Sequence, residues 1–477
     1  MFFNSIEFAI FLPIVFTLYW LFAKNNLKIQ NLILLVSSYV FYGWWDYRFL
    51  FLLVFSTFLD FFTGLKIYDS QTKSTKKTWL IISVVINLGF LCFFKYYNFF
   101  IDSFIPVLQA MGFKPHIWTL NLILPVGISF YTFHGLSYVF DIYNDKYTPT
   151  KNFIDYSVFV SFFPLLVAGP IERATHLLPQ VQKLRRFNYA YAAEGLRQIL
   201  WGLVKKVVIA DNCAEYANVI FNNSSHYNGS TLLIGALLFT FQIYGDFSGY
   251  SDIALGTAKL FGFDLLMNFN FPYFSRDIAE FWRRWHISLS SWFRDYLYIP
   301  LGGSKGGTWK RIRNTFIIFI VSGFWHGANW TFIIWGALNA VYFLPLLIQN
   351  KNRHHIEIVA KGKILPSVKD VFNMGITFLL VVFGWIFFRA NDLLHALNYI
   401  STLFSASIFS MPEVFPRYVF FYIGLFMVIE WWGREGFNPL NKFAGMPVSF
   451  KWAFYYSLII LVLYFSDKDQ QFIYFQF

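Results

Sequence analysis

Residues 246–303 read DFSGYSDIALGTAKLFGFDLLMNFNFPYFSRDIAEFWRRWHISLSSWFRDYLYIPLGG, and after a basic loop residues 313–327 read RNTFIIFIVSGFWHG. The flanking segments are strongly apolar. This stretch nevertheless carries many ionisable side chains: Asp252, Asp264, Asp277, Glu280, Arg283, Arg284, His286, Arg294, Asp295 and His326. An ionisable group at bilayer depth costs roughly 2.5–3.5 kcal/mol on insertion scales, so such a cluster indicates a functional site. We interpret residues 246–327 as the functional centre and the remainder as its housing.

Composition places the chain in a membrane. Of its 477 residues, 57% are apolar and 13% are charged, whereas soluble domains average about 25% charged residues. Several windows of about 20 residues carry almost no charge and are long enough to cross a hydrocarbon core. We therefore predict an all-α polytopic membrane protein. The net charge of +12 follows from basic residues in short loops, as the positive-inside rule expects, and we predict no nucleic-acid partner.

Loop charge predicts the orientation. Basic loops follow the first and third apolar segments, near residues 24–28 and 66–77, and a neutral loop lies between them. These loops, together with the basic tract at 350–369, are predicted to be cytoplasmic. Both termini are then extracytoplasmic. We expect roughly ten to twelve spans, with re-entrant pieces such as 118–140, where Pro125, Gly127 and Gly135 weaken a regular helix.

The chain shows no internal repeat and no soluble segment. We therefore predict a single integral membrane domain over residues 1–477. Within it we distinguish peripheral N-terminal spans at 1–116, a catalytic core at 117–349 and C-terminal spans at 370–477.

Two histidines are candidates for chemistry. A buried imidazole can act as a general base near neutral pH, because its unperturbed pKa is about 6.5. If residues 277–296 form one helix, Arg283, His286 and Ser290 share a face and Glu280 lies within one turn of both arginines. In that case His286 either serves catalysis or only completes a polar network. His326 has no neighbouring carboxylate in sequence, which favours a catalytic role.

Other chemical patterns are weak or missing. Asp246 and Asp252 either polarise a substrate or cap helices at a break near Gly249. The sequence has no HExxH, no CxxC, no P-loop and no GxSxG motif, so we predict no metal site, no ATP hydrolysis and no serine esterase. These patterns alone do not separate an enzyme from a transporter.

Motifs along most of the chain resemble the membrane-bound O-acyltransferase family, and within it the bacterial alginate O-acetylation branch. They are LPVGISFYTFHGLSYVFDIY (124–143), FFPLLVAGPIER (162–173), DFSGYSDIALGTAKLFGF (246–263), NFNFPYFSRDIAEFWRRWHISLSSWFRDYLYIPLGG (268–303), GFWHGANW (323–330) and the closing FIYFQF. The resemblance implies a ring of transmembrane helices around a central catalytic channel. It makes His326, in the WHG motif, and His286, in the WHxSLS motif, the catalytic histidines. We expect the following residues to contribute to substrate binding: Trp325, Arg283, Arg284, Asp252 and Ser290.

The resemblance also implies a reaction. We expect an acetyl group to pass from a cytoplasmic thioester, acetyl-CoA, to an extracytoplasmic polysaccharide such as alginate, with no bound cofactor. A separate extracytoplasmic acetyltransferase is the expected partner, and the bacterial cytoplasmic membrane is the expected location. Two alternatives stay open. One is D-alanyl transfer from a carrier protein to teichoic acid, and the other is a polysaccharide or proton-coupled transporter with a buried polar relay.

Overall fold

The computed structural model describes residues 1–113, 120, 123–467 and 470–473, and over these ranges its regular structure is entirely helical. The α-helices are α1 Ile6–Phe22, α2 Leu27–Asp46, α3 Leu50–Asp69, α4 Lys73–Leu91, α5 Tyr97–Ala110, α6 Ile128–Tyr143, α7 Phe153–Ser161, α8 Phe163–Leu166, α9 Ala174–Val181, α10 Tyr189–Leu203, α11 Asp211–Asn222, α12 Gly229–Leu260, α13 Ile278–Arg284, α14 Ile287–Phe293, α15 Thr308–His326, α16 Trp330–Ile348, α17 Val368–Arg389, α18 Leu393–Leu403, α19 Arg417–Gly433, α20 Leu440–Ala444 and α21 Val448–Phe465. Three π-helical turns interrupt or extend them: Cys92–Tyr96, Val204–Ala210 and Arg294–Tyr298.

Within the described residues, six helical segments are long and apolar enough to cross a bilayer: Leu27–Asp69, Lys73–Ala110, Gly229–Leu260, Trp330–Ile348, Val368–Arg389 and Val448–Phe465. The first two each contain two consecutive helices, and the shorter apolar helix α1 precedes them. A run of about 20 apolar residues matches the hydrocarbon thickness. The predicted all-α polytopic class is confirmed, while the exact number of spans and the ring around a channel stay predictions.

The chain divides into two compact units. The first comprises residues 1–192 and 257–266, and the second comprises residues 193–256 and 267–477. The single-domain organisation stays a prediction. Its boundary between residues 116 and 117 lies outside the described residues, as do residues 474–477 at the end of the predicted C-terminal spans.

The first unit is built around α2, α3, α4, α6 and α7. The carboxylate of Asp60 is buried there and accepts hydrogen bonds from Ser83 Oγ and Asn87 Nδ2, each at 2.7 Å. It lies directly against Gly135, where any Cβ would collide with it. Helix α6 runs through Gly135 without a break, and this glycine leaves room for the Asp60 carboxylate. The helix begins after Gly127, whose φ of +74° lies in the left-handed region that favours glycine. The predicted irregularity lies before the helix, and residues 118, 119, 121 and 122 of that segment are outside the described residues.

The second unit has an aromatic core that includes the buried side chains of Trp201, Trp285, Trp335 and Trp385. Helices α10 and α12 approach closely in this unit, because a Cβ on Gly249 would come within 2.7 Å of the Gly202 carbonyl oxygen. The predicted helix break at Gly249 is wrong: α12 runs without interruption from Gly229 to Leu260. Because Gly249 has no side chain, α10 packs closely against α12 at this position, and α12 continues past it.

Candidate active site

His326 is the last residue of α15, at the turn of the hairpin formed by α15 and α16. The two helices are in tight contact, since a Cβ on Gly323 would collide with the carbonyl oxygen of Phe332. Asn329 begins α16 by accepting a hydrogen bond from Thr331 N at 3.0 Å, the usual action of an N-cap. Its Nδ2 donates to the carbonyl of Asn391 at 2.7 Å. The hairpin therefore holds the His326 backbone in one place.

Aromatic rings surround the His326 side chain, which is 4% exposed. Ring centroids of Trp325, Trp335 and Phe388 lie 4.9, 5.3 and 5.3 Å from that of His326, with interplanar angles of 70–88°. Such edge-to-face geometry is favourable for aromatic pairs. These aromatic surroundings exclude bulk water from the His326 ring.

His286 lies in a sharp break between two short helices. Helix α13 ends at Arg284, α14 begins at Ile287, and His286 itself has left-handed backbone angles, with φ 43° and ψ 55°. Residues 268–270 provide hydrogen-bond partners for the backbone at this break. Asn270 N donates to the Arg284 carbonyl at 3.0 Å, and Ile287 N donates to the Asn268 carbonyl at 2.9 Å. Non-glycine residues with this backbone conformation are uncommon and concentrate at functional sites.

The break corrects the sequence expectation for this region. Arg283, His286 and Ser290 would share a face only if residues 277–296 formed one helix, and the structure has two helices there, separated at His286. The helix stops because the backbone of residues 284–287 pairs with residues 268–270. His286 is turned toward another set of neighbours as a result.

The structure brings the two predicted histidines together. Their ring centroids are 6.2 Å apart, and Trp325 contacts both rings, at 5.9 Å from His286 and 4.9 Å from His326. Phe247 packs edge-on against the other side of His286 at 4.7 Å. The separation of the two imidazole rings suits two groups that act on one small reacting group held between them.

Arg284 makes the ion pair with Glu280 that the sequence spacing indicates, whereas Arg283 contacts the loop after α16. Arg284 pairs with buried Glu280, with Nη2 and Oε1 2.9 Å apart. Arg283 donates to the carbonyl oxygens of Asn352 and His355, each at 2.7 Å. The hydrogen bonds of Arg284 are therefore structural, and those of Arg283 hold the basic loop that follows α16.

A cavity of about 210 Å³ opens beside the middle of α15. We call it the loop-side cavity. Its walls are mainly apolar, and it also contains Ser290, Ser322 and two arginines, Arg294 and Arg353. Ser290 is thus the predicted site residue that lines an accessible space. Arginine side chains at the mouth of an apolar cavity suit a ligand with an apolar arm and phosphate groups.

A second cavity, of about 650 Å³, lies at the C-terminal end of α15. We call it the asparagine cleft. Its lining residues are mostly polar or small: Asn218, Asn222, Gly327, Ala328, Asn329, Phe332, Arg389, Ala390 and Asn391. Because the loop-side cavity is lined by residues 315–322 of α15 and the asparagine cleft begins at Gly327, His326 lies between them along the chain.

Comparison with known proteins decides the family. The membrane-bound O-acyltransferase (MBOAT) family model matches residues 35–388. The chain belongs to this family. It is therefore an O-acyltransferase and a multi-pass membrane protein, which settles the choice between enzyme and transporter.

The MBOAT relatives divide by acyl group. The chain is 41% identical to the "Probable alginate O-acetylase AlgI" of Pseudomonas aeruginosa over 412 residues, which cover 86% of this chain and 76% of that protein. It is 38% identical to the "Peptidoglycan O-acetyltransferase" of Helicobacter pylori, with 81% and 76% covered. It is 29% identical to the "Teichoic acid D-alanyltransferase" of Bacillus subtilis, with 59% and 73% covered.

Asp252, another residue predicted for substrate binding in this MBOAT protein, belongs to a buried ion-pair network. The Nζ of Lys205 lies 3.0 Å from Asp252 Oδ2 and 3.0 Å from Glu430 Oε1. Tyr244 Oη donates to Glu430 at 2.6 Å, and Gln198 Nε2 donates to Asp252 at 3.0 Å. Buried charges need such compensation. Asp252 lies inside α12, so it is no helix cap, and its role in substrate binding stays a prediction.

Asp246, six residues before Asp252 on α12, has a parallel arrangement. The Nζ of Lys206 lies 2.9 Å from Asp246 Oδ1 and 2.8 Å from Asp211 Oδ1. Asp246 Oδ2 accepts from the backbone N–H of Ile473 at 2.6 Å, and Phe472 packs on Tyr250 at 4.3 Å. The start of the FIYFQF tail is therefore anchored near the histidines. Sequence reasoning missed both lysines, whose signal was a charged pair inside the apolar run VKKVVIA.

A serine–histidine contact outside the main site was also missed. Ser224 Oγ and His395 Nε2 are 3.1 Å apart. His395 Nδ1 accepts a hydrogen bond from the Asn391 backbone N–H at 3.2 Å. In a neutral ring Nε2 then carries the proton and donates to the serine. The pair is therefore a structural contact and not an activated nucleophile.

The first unit holds further histidine contacts. His134 is buried, and its Nε2 lies 3.4 Å from the Pro170 carbonyl oxygen. His176 Nδ1 lies 2.9 Å from Glu172 Oε2. This hydrogen bond to the carboxylate raises the pKa of His176 above its ordinary value. Glu172 also accepts a hydrogen bond from Leu266 N at 2.5 Å. Glu172, in the GPIER motif, therefore links His176 to the segment after α12.

Proposed function

We propose that this MBOAT protein moves an acetyl group from cytoplasmic acetyl-CoA to a hydroxyl of an extracytoplasmic polysaccharide or of the acetyltransferase that serves it. The observation that carries the proposal is the position of His326. Its ring centroid lies 6.2 Å from that of His286 in an aromatic enclosure, and along the chain it falls between residues that line two cavities of opposite character.

The loop-side cavity suits the thioester donor. Its apolar walls match the acyl and pantetheine portions. The exposed Arg353 matches the phosphates, and Arg294, whose Nε lies 2.8 Å from Asp295 Oδ1, adds to the basic lining. Asn352 and Arg353 belong to the basic tract after α16. The positive-inside rule assigns that tract to the cytoplasm, where acyl-CoA is made. The predicted orientation, with extracytoplasmic termini in the bacterial inner membrane, is therefore part of the proposal.

The asparagine cleft suits the acceptor. Its position at the opposite ends of α15 and α17 from the basic tract supports an extracytoplasmic location. Polar lining and a volume of about 650 Å³ favour a hydroxyl-rich acceptor over an acyl chain. The higher identity to an alginate O-acetylase and a peptidoglycan O-acetyltransferase supports acetyl transfer over D-alanyl transfer.

The proposed chemistry follows from the two imidazoles. His326 takes the proton of the acceptor hydroxyl as its oxygen attacks the thioester carbonyl carbon. The carbon–sulfur bond then breaks, and the CoA thiolate leaves with that proton. His286, or the Trp325 N–H, donates to the developing oxyanion. General-base assistance contributes typically about 10²–10⁴-fold, and an oxyanion donor contributes about 10²–10³-fold.

The test uses purified protein in sealed liposomes with radiolabelled acetyl-CoA inside and the acceptor outside. Wild type is expected to move label to the outside acceptor, and His326→Ala to lose at least about 10²-fold of that rate. Size-exclusion behaviour of His326→Ala verifies that it is folded. Equal transfer by wild type and folded His326→Ala would refute the mechanism. Transfer that requires a D-alanyl carrier protein in place of acetyl-CoA would refute the donor.

A further inference from the structure

The asparagine cleft has a distinctive centre, the guanidinium group of Arg389 at the end of α17. Two neutral amides hold it. Arg389 Nη2 donates to Asn218 Oδ1 at 2.9 Å and to Asn222 Oδ1 at 3.1 Å. The ring of Phe221 lies below, with its centroid 5.4 Å from Arg389 Cζ. The cleft therefore positions one cation on a small, rigid platform.

The positive charge of Arg389 has no internal counterion. Across the described ranges, no carboxylate lies within ion-pair distance of its guanidinium, and none of the residues that line the asparagine cleft is acidic. This differs from Arg284 and Lys205, which are buried against glutamate. A half-buried arginine that the protein leaves without a carboxylate is a common basis for recognising anions.

The side-chain groups of Arg389, Asn218 and Asn222 that remain available for a ligand are all hydrogen-bond donors. Arginine has five N–H donors and no acceptor, so the amide oxygens of Asn218 and Asn222 must face it. This fixes both amide orientations and leaves their NH₂ groups as donors. On Arg389 itself, Nε and Nη1 make no hydrogen bond to any described residue. Such a set of donors matches a ligand rich in acceptor oxygens.

We propose that Arg389, supported by Asn218 and Asn222, is the specificity determinant of an anionic acceptor subsite. Its ligand is a polyhydroxylated polymer that carries carboxylate or phosphate groups. An anionic group of one unit binds the guanidinium, and this places a hydroxyl of the same or the adjacent unit toward Gly327 and His326. This inference rests on the proposed function for the identity of the reaction, but the anion site itself rests on the contacts above.

The lining of the asparagine cleft also indicates which kind of molecule occupies it. Phe332 is the one aromatic side chain among the lining residues, whereas protein–protein contacts are centred on buried aromatic and other apolar side chains. A polar cleft with donor groups at its base therefore favours a glycan over a folded protein partner. Docking of a partner protein is an outcome of the test below.

Binding to nanodisc-embedded protein tests the subsite directly. The probes are a short oligouronate, an oligomer of glycerol phosphate and the carboxyl-reduced, neutral form of the oligouronate. Wild type is expected to bind an anionic probe more tightly than the neutral one. Arg389→Gln is expected to weaken anionic binding by roughly 10- to 150-fold, the equivalent of a charge-assisted hydrogen bond, without changing neutral binding. The two anionic probes distinguish a carboxylate ligand from a phosphate ligand.

The matched control is Arg417→Gln, an exposed arginine that begins α19 in the same unit. It is expected to bind every probe as wild type does. Arg389→Lys keeps the charge without the planar fork and is expected to retain part of the anion preference. In acetyl-transfer assays Arg389→Gln is expected to raise KM for the anionic acceptor while kcat stays within about 3-fold, because the residue binds and does not react.

The outcomes separate cleanly. Equal binding of anionic and neutral probes by wild type, or equal losses in Arg389→Gln and Arg417→Gln, would overturn the subsite. Binding of a partner protein that depends on Arg389, with no binding of any glycan probe, would also overturn it. Arg389-dependent anion binding without any His326-dependent acetyl transfer would refute the proposed function and support the anion site.

Discussion

Replacement of Lys205 by methionine tests whether the acidic residues near the catalytic stretch are structural. Lys205 lies in the π-helical turn Val204–Ala210, and its Nζ is 3.0 Å from carboxylate oxygens of both Asp252 and Glu430. The side chains of Lys205 and Glu430 are 5% and 2% exposed, and that of Asp252 is 17% exposed. One ammonium group thus compensates two carboxylates in a nearly dry environment.

The expected magnitude follows from this geometry. Removal of one partner from a buried ion pair costs about 3–5 kcal/mol, because the remaining charge stays buried without compensation. Lys205→Met leaves two such carboxylates, so we expect a loss of about 3–5 kcal/mol in the free energy of unfolding. Asp252→Asn should cost only about 1 kcal/mol, because Glu430 still pairs with the lysine and Asp252 is the most exposed member.

The assay is reversible unfolding by SDS in mixed micelles, followed by tryptophan fluorescence. The triple variant Lys205→Met, Asp252→Asn, Glu430→Gln removes all three charges of this network and is expected to recover most of the loss, since neutral replacement of a buried ion pair is often tolerated. Lys310→Met, at an exposed lysine in the same unit, is the control and should stay within about 0.5 kcal/mol of wild type.

Two results would refute this reasoning. A loss below about 1 kcal/mol in Lys205→Met, or no recovery in the triple variant, would show that the network does not stabilise the fold. A raised KM in Asp252→Asn with unchanged stability would return Asp252 to the substrate-binding role that the sequence predicted.

Two further substitutions test the position of His326 and the role of Arg283. Gly323→Ala places a methyl group against the Phe332 carbonyl, so we expect about 1–3 kcal/mol of destabilisation and a lower kcat, measured by unfolding and acetyl transfer. Gly375→Ala in α17, where nothing lies within 4 Å of an added Cβ, is the control, and equal kcat values in the two variants would contradict the tight hairpin. Arg283→Ala removes the hydrogen bonds to the loop after α16 and should speed tryptic cleavage in residues 351–363 while the transfer rate stays within about 3-fold. Unchanged cleavage with a raised donor KM would instead assign Arg283 to substrate binding.

Sequence patterns predicted the class of this protein for simple physical reasons. Long apolar segments must be helical in a bilayer, because every backbone polar group has to be satisfied within the chain. The resemblance of motifs then indicated the O-acyltransferase family, which is confirmed. The same motifs led to His326 and His286, whose roles stay predictions although their rings lie 6.2 Å apart in the structure.

The break at His286 had no such local signal. Neither proline nor glycine occurs between Asp277 and Arg294, so helical periodicity continued through the histidine. The competing backbone partners come from residues 268–270, on a separate segment. A pattern within one element reports only that element's own periodicity.

Pairing of charges was equally beyond local patterns. Lys205 meets Asp252 and Glu430, and Arg389 meets Asn218 and Asn222, across separations of 47 to 225 residues. Sequence alone determined that these polar groups would be costly in a membrane and would need partners. Only the tertiary structure decided which carboxylates are neutralised by lysine and which arginine is held by amides without a carboxylate, because that depends on which helices pack together.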